Sequence, residues 1–323
     1  MITYDMFNDF FRNLHFSNVY VGFSGGSDST ALLVLTKYYA DKYKFAIKAI
    51  NFEHGIRGEE SKQDTEFCKD FCKKNNIDFE TYSLGLSSTT KNVECIARQK
   101  RLQKYREIIS DKNDTVVLLG HHLDDKIENF FIRLARGSNI SGLCGLKSFN
   151  KIEGITFGRP FLSVKKTELE QFLKDSNYSW RIDKSNFNNK YTRNYIRNVL
   201  LPEWYKNEGL IEGGIKLAIK NIEEDSSFVD DVVHTEYKKI AGMQYLKIDF
   251  LKKYHIAIRN RLIKQWIVDK KGNFIISKNF LDQFNTAISE SKSYHRSICL
   301  KDGDRLVLTS DGKIFFKKSV GLV

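Results

Sequence analysis

Proline is almost absent: Pro160 and Pro202 are the only two in 323 residues. Long proline-rich linkers and polyproline spacers are therefore excluded. No apolar run approaches the ~20 residues that a membrane-spanning helix needs, so no membrane partner is expected. Cysteine is scarce and odd in number, at five. Cys68 and Cys72 sit one helical turn apart, Cys95, Cys144 and Cys299 are scattered, and no C-x-x-C or zinc-spaced Cys/His set exists. A disulfide framework and a zinc ribbon are both excluded, which leaves ordinary reduced thiols in a cytoplasmic protein. Met1 to Phe16 is mixed and partly acidic, unlike a secretory signal.

What is present is a 41% hydrophobic chain with a formal charge of +12. Its length exceeds the usual single domain, so two are expected: residues 1–205 and residues 206–323. The boundary follows Pro202, where Glu208-Gly209 and Gly213-Gly214 interrupt the pattern. The charge is uneven. Residues 147–200 carry 11 basic against 5 acidic side chains, half of the whole excess. A basic strip of this kind fits a polyanion larger than a nucleotide, although a lysine-rich solvated surface would look the same.

Val19–Phe23 is an apolar, β-prone run that breaks into Ser24-Gly25-Gly26-Ser27-Asp28-Ser29 and then into a helical pattern from Thr30. Strand, tight turn and helix N-terminus form an anion cradle: adjacent glycines admit close backbone approach, and the helix turns free N–H groups toward the ligand. No Gly-Lys-Ser/Thr follows, so this is not the lysine-bearing nucleotide loop. The G-x-G-x-x-G spacing of a dinucleotide site is also missing.

The first half alternates strand and helix. Strands are expected at Val19–Phe23, Ala46–Phe52, Phe79–Leu84, Thr115–Gly120 and Ile155–Phe161, with helices at Thr30–Ala40, Glu59–Asn75, Val93–Ile109 and His122–Arg136. This order predicts an α/β fold, a parallel sheet with helices on both faces. Ligands of such sheets gather at the carboxyl ends of the strands. The second domain reads as mostly helical to about Ile288, ending in a β-hairpin of Arg305–Thr309 and Lys313–Lys317 around Asp311-Gly312.

Four further segments carry polar chemistry. His121, His122, Asp124, Asp125 and Glu128 open a helix after the fourth strand; plain capping accounts for one acid but not for two histidines and a second acid one turn on. Carboxylates facing a cleft can ligate metal or bind an ammonium group. His54 and Arg57 end the second strand. Glu94, Arg98, Arg101 and Tyr105 form one helical stripe, either a routine ion pair or a phosphate or RNA contact. Arg193 and Arg197, one turn apart among Tyr191 and Tyr195, suit phosphate and base contact or the packing of a boundary.

The Ser24-Gly25-Gly26-Ser27-Asp28-Ser29 segment resembles the signature of the PP-loop ATP pyrophosphatases. Together with His54-Gly55-Ile56-Arg57, Ser61 and Asp64, it begins a longer likeness. This runs through Glu94, Ala97-Arg98, Arg101 and Tyr105, His121-His122-Leu123-Asp124-Asp125 with Glu128, and Arg136-Gly137-Ser138. It ends with Arg159-Pro160, Asp183-Lys184-Ser185-Asn186, Arg193-Asn194, Arg197 and Pro202. In order, these residues resemble the tRNA(Ile)-lysidine synthetase family. Departures are small: Asn129 where Thr is usual, Lys126 where Gln is common, Lys184 where Pro often follows the Asp. The segment beyond residue 205 aligns less readily and is read as lacking an extended second tail domain.

The resemblance implies a PP-loop, Rossmann-like catalytic domain and a C-terminal tRNA-recognition domain. It implies that ATP with Mg²⁺ adenylates the C2 carbonyl oxygen of the wobble cytidine in the CAU-anticodon isoleucine tRNA. Free L-lysine then displaces AMP to give lysidine. On this likeness Ser24, Gly25, Gly26, Ser27, Asp28 and Ser29 hold ATP, with Asp28 near Mg²⁺. Asp125 and Glu128 take lysine. Asp28, Arg98, Arg101 and His121 are catalytic, the last three stabilising the adenylate. Arg193 and Arg197 contact tRNA. A homodimer is compatible with it. Two other readings remain: a tRNA 2-thiolation enzyme of the same superfamily, which would want clustered cysteines near the cradle, and a non-catalytic ATP- and RNA-binding protein.

Overall fold

The computed structural model describes residues 2–55, 59–86, 93–181, 192–207, 212–272, 276–290, 296–300 and 303–318. The chain divides into two compact units, Met1–Lys220 and Asn221–Val323.

The first unit begins with a 3₁₀ turn (Tyr4–Phe7) and runs α1 (Asn8–Arg12), β1 (Asn18–Gly22), α2 (Ser27–Tyr43), β2 (Ala46–Glu53), α3 (Glu59–Lys74) and β3 (Asp78–Ser83). It continues through α4 (Val93–Ile108), β4 (Thr115–Leu118), α5 (Leu123–Ala135), α6 (Ile140–Leu143), β5 (Phe149–Ile152), β6 (Ile155–Gly158) and α7 (Lys166–Asp175). Then come α8 (Thr192–Tyr195), a π-helical turn (Ile196–Leu200), α9 (Leu201–Tyr205) and the start of α10 (Glu212–Tyr237).

The strands form one six-stranded sheet in the order β3-β2-β1-β4-β6-β5. All neighbours are parallel except the β5–β6 hairpin. That hairpin is where the structure exceeds the expected strand set. Phe149–Ile152 alternates too briefly to stand out, and its turn relies on left-handed backbone at Glu153 (φ 49°) and Gly154 (φ 88°).

Period-2 alternation sorts the core to two faces. Val19, Val21, Val116 and Leu118 meet Leu32, Leu35, Tyr39 and Phe161 on one face. Ile50, Val117 and Phe157 meet Tyr105 and Ile109 on the other. Each fully buried aliphatic side chain of this kind is worth about 1.5–3 kcal/mol. β4 is buried along its whole length, as a central parallel strand must be. A third cluster joins Leu123 and Ile127 of α5 to Ile196, Leu201, Ile215 and Ile219. Toward the end of α5 this burial stops, and Leu134 is exposed.

The second unit holds the end of α10, β7 (Tyr245–Lys247), α11 (Ile248–Lys252), α12 (Ile256–Lys271), α13 (Lys278–Ser289), β8 (Arg296–Cys299), β9 (Arg305–Leu308) and β10 (Lys313–Lys317). The expected hairpin is present as β9–β10, with Ile314 opposite Leu308 and Gly312 at φ 74°. It is the centre of a four-stranded antiparallel sheet, β7-β10-β9-β8. The two outer strands, three and four residues long, were not expected from the sequence. Trp266, Phe284, Leu246, Leu306 and Ile314 fill this unit's core.

One close approach fixes the business end of the first unit. A Cβ built on Gly120, just past β4, would lie 2.9 Å from the carbonyl oxygen of Asp28 in α2. No side chain fits there, and both atoms belong to well-packed backbone. Gly120→Ala should cost on the order of 2 kcal/mol, in the range of overpacking, and lower the midpoint of thermal unfolding by several degrees. An unchanged midpoint would show that the two segments are free to separate.

Candidate active site

The loop after β1 delivers Ser24, Gly25 and Gly26 to the N-terminus of α2. Ser27, Asp28 and Ser29 lie in the helix's first turn rather than in the loop, because Gly26 takes the extended N-cap conformation (φ −73°, ψ 164°). First-turn amides have no intrahelical acceptor, so this end of α2 presents donors and a positive dipole end. Gly25 is left-handed (φ 81°), and a Cβ there would press on Cys68 Sγ at 3.1 Å and Phe67 at 3.2 Å. The loop is braced from within: Ser24 N donates to Ser29 Oγ at 3.2 Å, and Thr30 Oγ1 donates to the Gly26 carbonyl at 2.9 Å. It is also held from outside, where Arg181 N donates to the Gly25 carbonyl at 2.8 Å.

β4 ends beside this loop, and His122 caps α5 in extended backbone (φ −120°, ψ −177°). Its amide donates to Asp125 Oδ2 at 3.1 Å. The imidazole is 1% exposed and faces three carboxylates: Asp124 Oδ2 at 3.1 Å from Nδ1, and Asp125 Oδ2 at 3.5 Å and Asp28 Oδ2 at 3.6 Å from Nε2. The Asp124 contact is close as an ion contact but out of line as a hydrogen bond. Burial opposes charge on His122, yet these carboxylates outweigh it and raise its pKa above 6.5. Asp124 also accepts the Lys166 amide of α7 at 2.9 Å; against the cost of burial, His122 and that amide hold its carboxyl down at about 2.

His121 behaves oppositely. Burial, then the positive charges of Arg159, Arg193 and Arg98, press its pKa down to about 4 against the pull of Asp125. It is a neutral imidazole near pH 7, and its Nδ1 is buried with no hydrogen-bond partner.

Asp125 and Glu128, one turn apart on α5, meet Arg193 of α8 and Arg197 of the π turn. Arg193 donates Nε to Glu128 Oε2 at 2.8 Å and Nη2 to Asp125 Oδ1 at 2.8 Å. Arg197 donates Nε to Glu128 Oε1 at 2.5 Å and Nη2 to Asp125 Oδ1 at 3.2 Å. Glu128 is fully buried. The residues expected to take lysine and those expected to take tRNA therefore form one ion-pair cluster. On α4, Arg98 is exposed and Arg101 half-buried beside buried Tyr105. Burial lowers the pKa of Arg101, partly offset by Tyr105.

His54 and Gly55 follow β2 as expected, while Arg57 and Ile182–Tyr191, with Asp183-Lys184-Ser185-Asn186, lie outside the described residues. Two contributors were not singled out from sequence as site residues. Glu170 of α7 accepts from Ser27 Oγ at 3.4 Å, a contact 143 positions apart that no local pattern shows. Arg159, just past β6, is 4% exposed; its signal was a charged residue at a strand's carboxyl end. Among the described residues no three His, Cys, Asp or Glu side chains gather to hold a metal. A magnesium ion carried on nucleotide phosphates needs only one or two protein carboxylates, and Asp28 at the cradle fits that need.

The chain belongs to the PP-loop domain family, whose model matches residues 2–204. Among curated proteins it is similar to the tRNA(Ile)-lysidine synthases of Wigglesworthia glossinidia brevipalpis (30% identity, covering 75% of this chain and 64% of the relative) and Buchnera aphidicola subsp. Acyrthosiphon pisum (32%, 80% and 58%). The chain thus spans roughly 60% of those relatives' length. Among solved structures it resembles the U34-tRNA thiolase NcsA from Methanococcus maripaludis with its [4Fe-4S] cluster. There the TM-score is 0.53 at 17% identity, over 68% of this chain and 78% of that one, a likeness of fold. No helix among the described residues is long and apolar enough to cross a membrane.

The two histidines make opposite pH predictions. His121, its folded pKa depressed, costs stability as pH falls from about 6.5 toward 4, because the unfolded chain takes the proton first. His122, its pKa raised, adds stability below about 6.5 and loses it as pH rises through its folded value. Histidine NMR titration should show one imidazole still neutral at pH 5 and one protonated above pH 6.5, and His121→Gln should remove only the first. If the resonances that His121→Gln and His122→Gln each remove both titrated near 6.5, the described environments would be contradicted.

The ion-pair cluster predicts a second asymmetry. Glu128→Gln strands two guanidinium groups and should destabilise the protein by about 2–4 kcal/mol, measured by denaturant unfolding. A loss below about 0.5 kcal/mol would mean that the cluster does not hold α8 to α5.

Proposed function

We propose that this protein attaches free L-lysine to C2 of the wobble cytidine of CAU-anticodon isoleucine tRNA, using ATP and forming lysidine. The observation that carries this reading is the meeting of a serine–glycine anion cradle with the His121-His122-Asp124-Asp125-Glu128 turn, of which His122, Asp125 and Glu128 are buried, at the ends of adjacent strands. The similarity to curated lysidine synthases supports it.

In this reading the amides and hydroxyls of Ser24, Gly25, Gly26, Ser27 and Ser29 hold the β and γ phosphates of ATP. Asp28 lies where a phosphate-borne Mg²⁺ would be met, and the ion would offset phosphate charge during transfer. The cytidine O2 attacks the α-phosphorus and pyrophosphate leaves into the cradle. The base leaves its stack to reach that point. The lysine ε-amine then attacks C2, the C2–O2 bond breaks and AMP departs with the oxygen. A carbonyl oxygen is a poor leaving group, and adenylation makes it a good one.

Arg98, Arg101 and neutral His121 face the developing negative charge. The attacking amine must lose a proton, which an enclosed, water-poor site assists. Asp125 and Glu128 recognise lysine by charge; because Arg193 and Arg197 hold both carboxylates, the substrate ammonium competes with a guanidinium for Asp125. Arg193 and Arg197 also offer their remaining N–H groups to the anticodon-loop backbone. The basic 147–200 segment suits the same polyanion, and the second unit serves tRNA recognition.

A thiolation reading finds little support in the thiols. Burial raises the pKa of Cys68 and lifts that of Cys72 to about 12, the reverse of activation.

Incubation with ATP, Mg²⁺ and the tRNA should release AMP only when lysine is added, and mass analysis should find the wobble nucleoside heavier by one lysine residue. Sulfur-dependent AMP release would support thiolation, and no AMP release a binding protein. Asp125→Asn should raise KM for lysine at least 10-fold more than KM for ATP, the size of a lost charge-assisted contact. Equal effects would rule out charge recognition by that residue.

A further inference from the structure

Arg159 is the least explained charge in the first unit. Its side chain is almost wholly buried, at 4% exposed. Nη1 donates to two neutral oxygens, the Lys147 carbonyl at 3.0 Å and Asn150 Oδ1 at 2.5 Å. Nε has no partner and no access to solvent, and among the described residues no carboxylate pairs with the guanidinium. A buried cation without an anion is costly, and protein interiors rarely keep one without a use. The environment worsens the cost: burial, then the like charge of Arg98, lowers its pKa to about 10.

A second buried donor or acceptor, His121 Nδ1, is unsatisfied in the same neighbourhood, and Arg159 and Arg98 both act on that imidazole. Asp125 acts on His121 with the opposite sign. The same imidazole is thus influenced by one carboxylate and by the guanidinium groups of Arg159, Arg193 and Arg98.

Position within the sheet narrows what could fill it. The phosphate cradle leaves β1, His121 leaves β4 and Arg159 leaves β6, two strands over, so about 10 Å of sheet separates the cradle from the Arg159 backbone. The β and γ phosphates belong to the cradle. On the acceptor side an anion is still required if the nucleophile is a free amino acid. A zwitterion presents an ammonium and a carboxylate a few bonds apart, and the charged groups acting on His121 include both a carboxylate and guanidinium groups. Arg159 itself is almost wholly buried, unlike the open cationic surface that the phosphates of a macromolecule need.

We propose that Arg159, with Arg98 beside it, is the receptor for the α-carboxylate of the free lysine substrate. The inference rests on the lysine-ligating reading above. Arg193 and Arg197 are poor alternatives for this carboxylate, because Asp125 and Glu128 already engage them.

The test compares L-lysine with L-lysinamide, which keeps both amines and the chain but carries no carboxylate charge. In lysine-dependent AMP release on the tRNA, KM for lysine and the competitive inhibition constant of lysinamide are measured for the wild type, Arg159→Met and Arg159→Lys. The wild type should favour lysine over lysinamide. Arg159→Met should reduce that preference at least 10-fold, as loss of a charge-assisted bidentate contact does, and Arg159→Lys should recover part of it. General damage to folding lowers affinity for both compounds together, so an unchanged preference overturns the proposal. A rise in KM for ATP or tRNA with the preference intact would assign Arg159 to phosphate instead and also overturn it. Failure of the wild type to consume lysine at all would sink the underlying reading rather than this step.

Discussion

The close packing of backbone against backbone at Gly120 and Asp28 governs the rest of this site. With no Cβ on Gly120, the first turn of α2 can settle against the end of β4. That contact brings a helix N-terminus rich in free amides beside a turn rich in carboxylates and imidazoles. Without it, the anion cradle and the His121-His122-Asp124-Asp125 turn would be separate features on neighbouring loops. With it, Asp28 and Asp125 share one buried histidine.

Charge is sorted finely around that contact. His122 sits among three carboxylates that raise its pKa, while His121, next in sequence, faces arginines and is held neutral. The difference arises because adjacent residues leaving a strand point to opposite sides. Glu128 shows the same sorting deeper in the fold. It is fully buried, yet Arg193 and Arg197 both reach it from a π-helical turn. These pairs tie the 192–200 segment to α5, so the positions of Asp125 and α8 are mechanically linked. Such buried pairs add little net stability over an apolar core, but they punish the loss of any one member.

Much of this was legible in the chain. The alternation of apolar runs and helical stripes declared the parallel sheet, because central strands must be apolar throughout and their helices amphipathic. The Ser24–Ser29 segment announced a tight turn into a helix N-terminus through its glycines and its place after a strand. Less visible was the pairing of Arg193 and Arg197 with Asp125 and Glu128, about 70 positions away. Periodicity reports which face a residue occupies, not which distant face it meets. The short strands β5, β7 and β8 were hidden because each buries at most one of its three or four residues, whereas the equally short β4 is buried throughout. Arg159 was readable only as one member of a familiar pattern. Its lack of a counter-ion is a three-dimensional fact.

The central claim is that nucleotide and amine meet across the β1–β4 junction. A structure with a non-hydrolysable ATP analogue bound would test it most directly. The account predicts β and γ phosphates against the amides of Ser24–Ser29, with the α-phosphate turned toward His121 and Arg98. Phosphates seated anywhere else on the first unit, or an α-phosphate turned away toward β3, would contradict it.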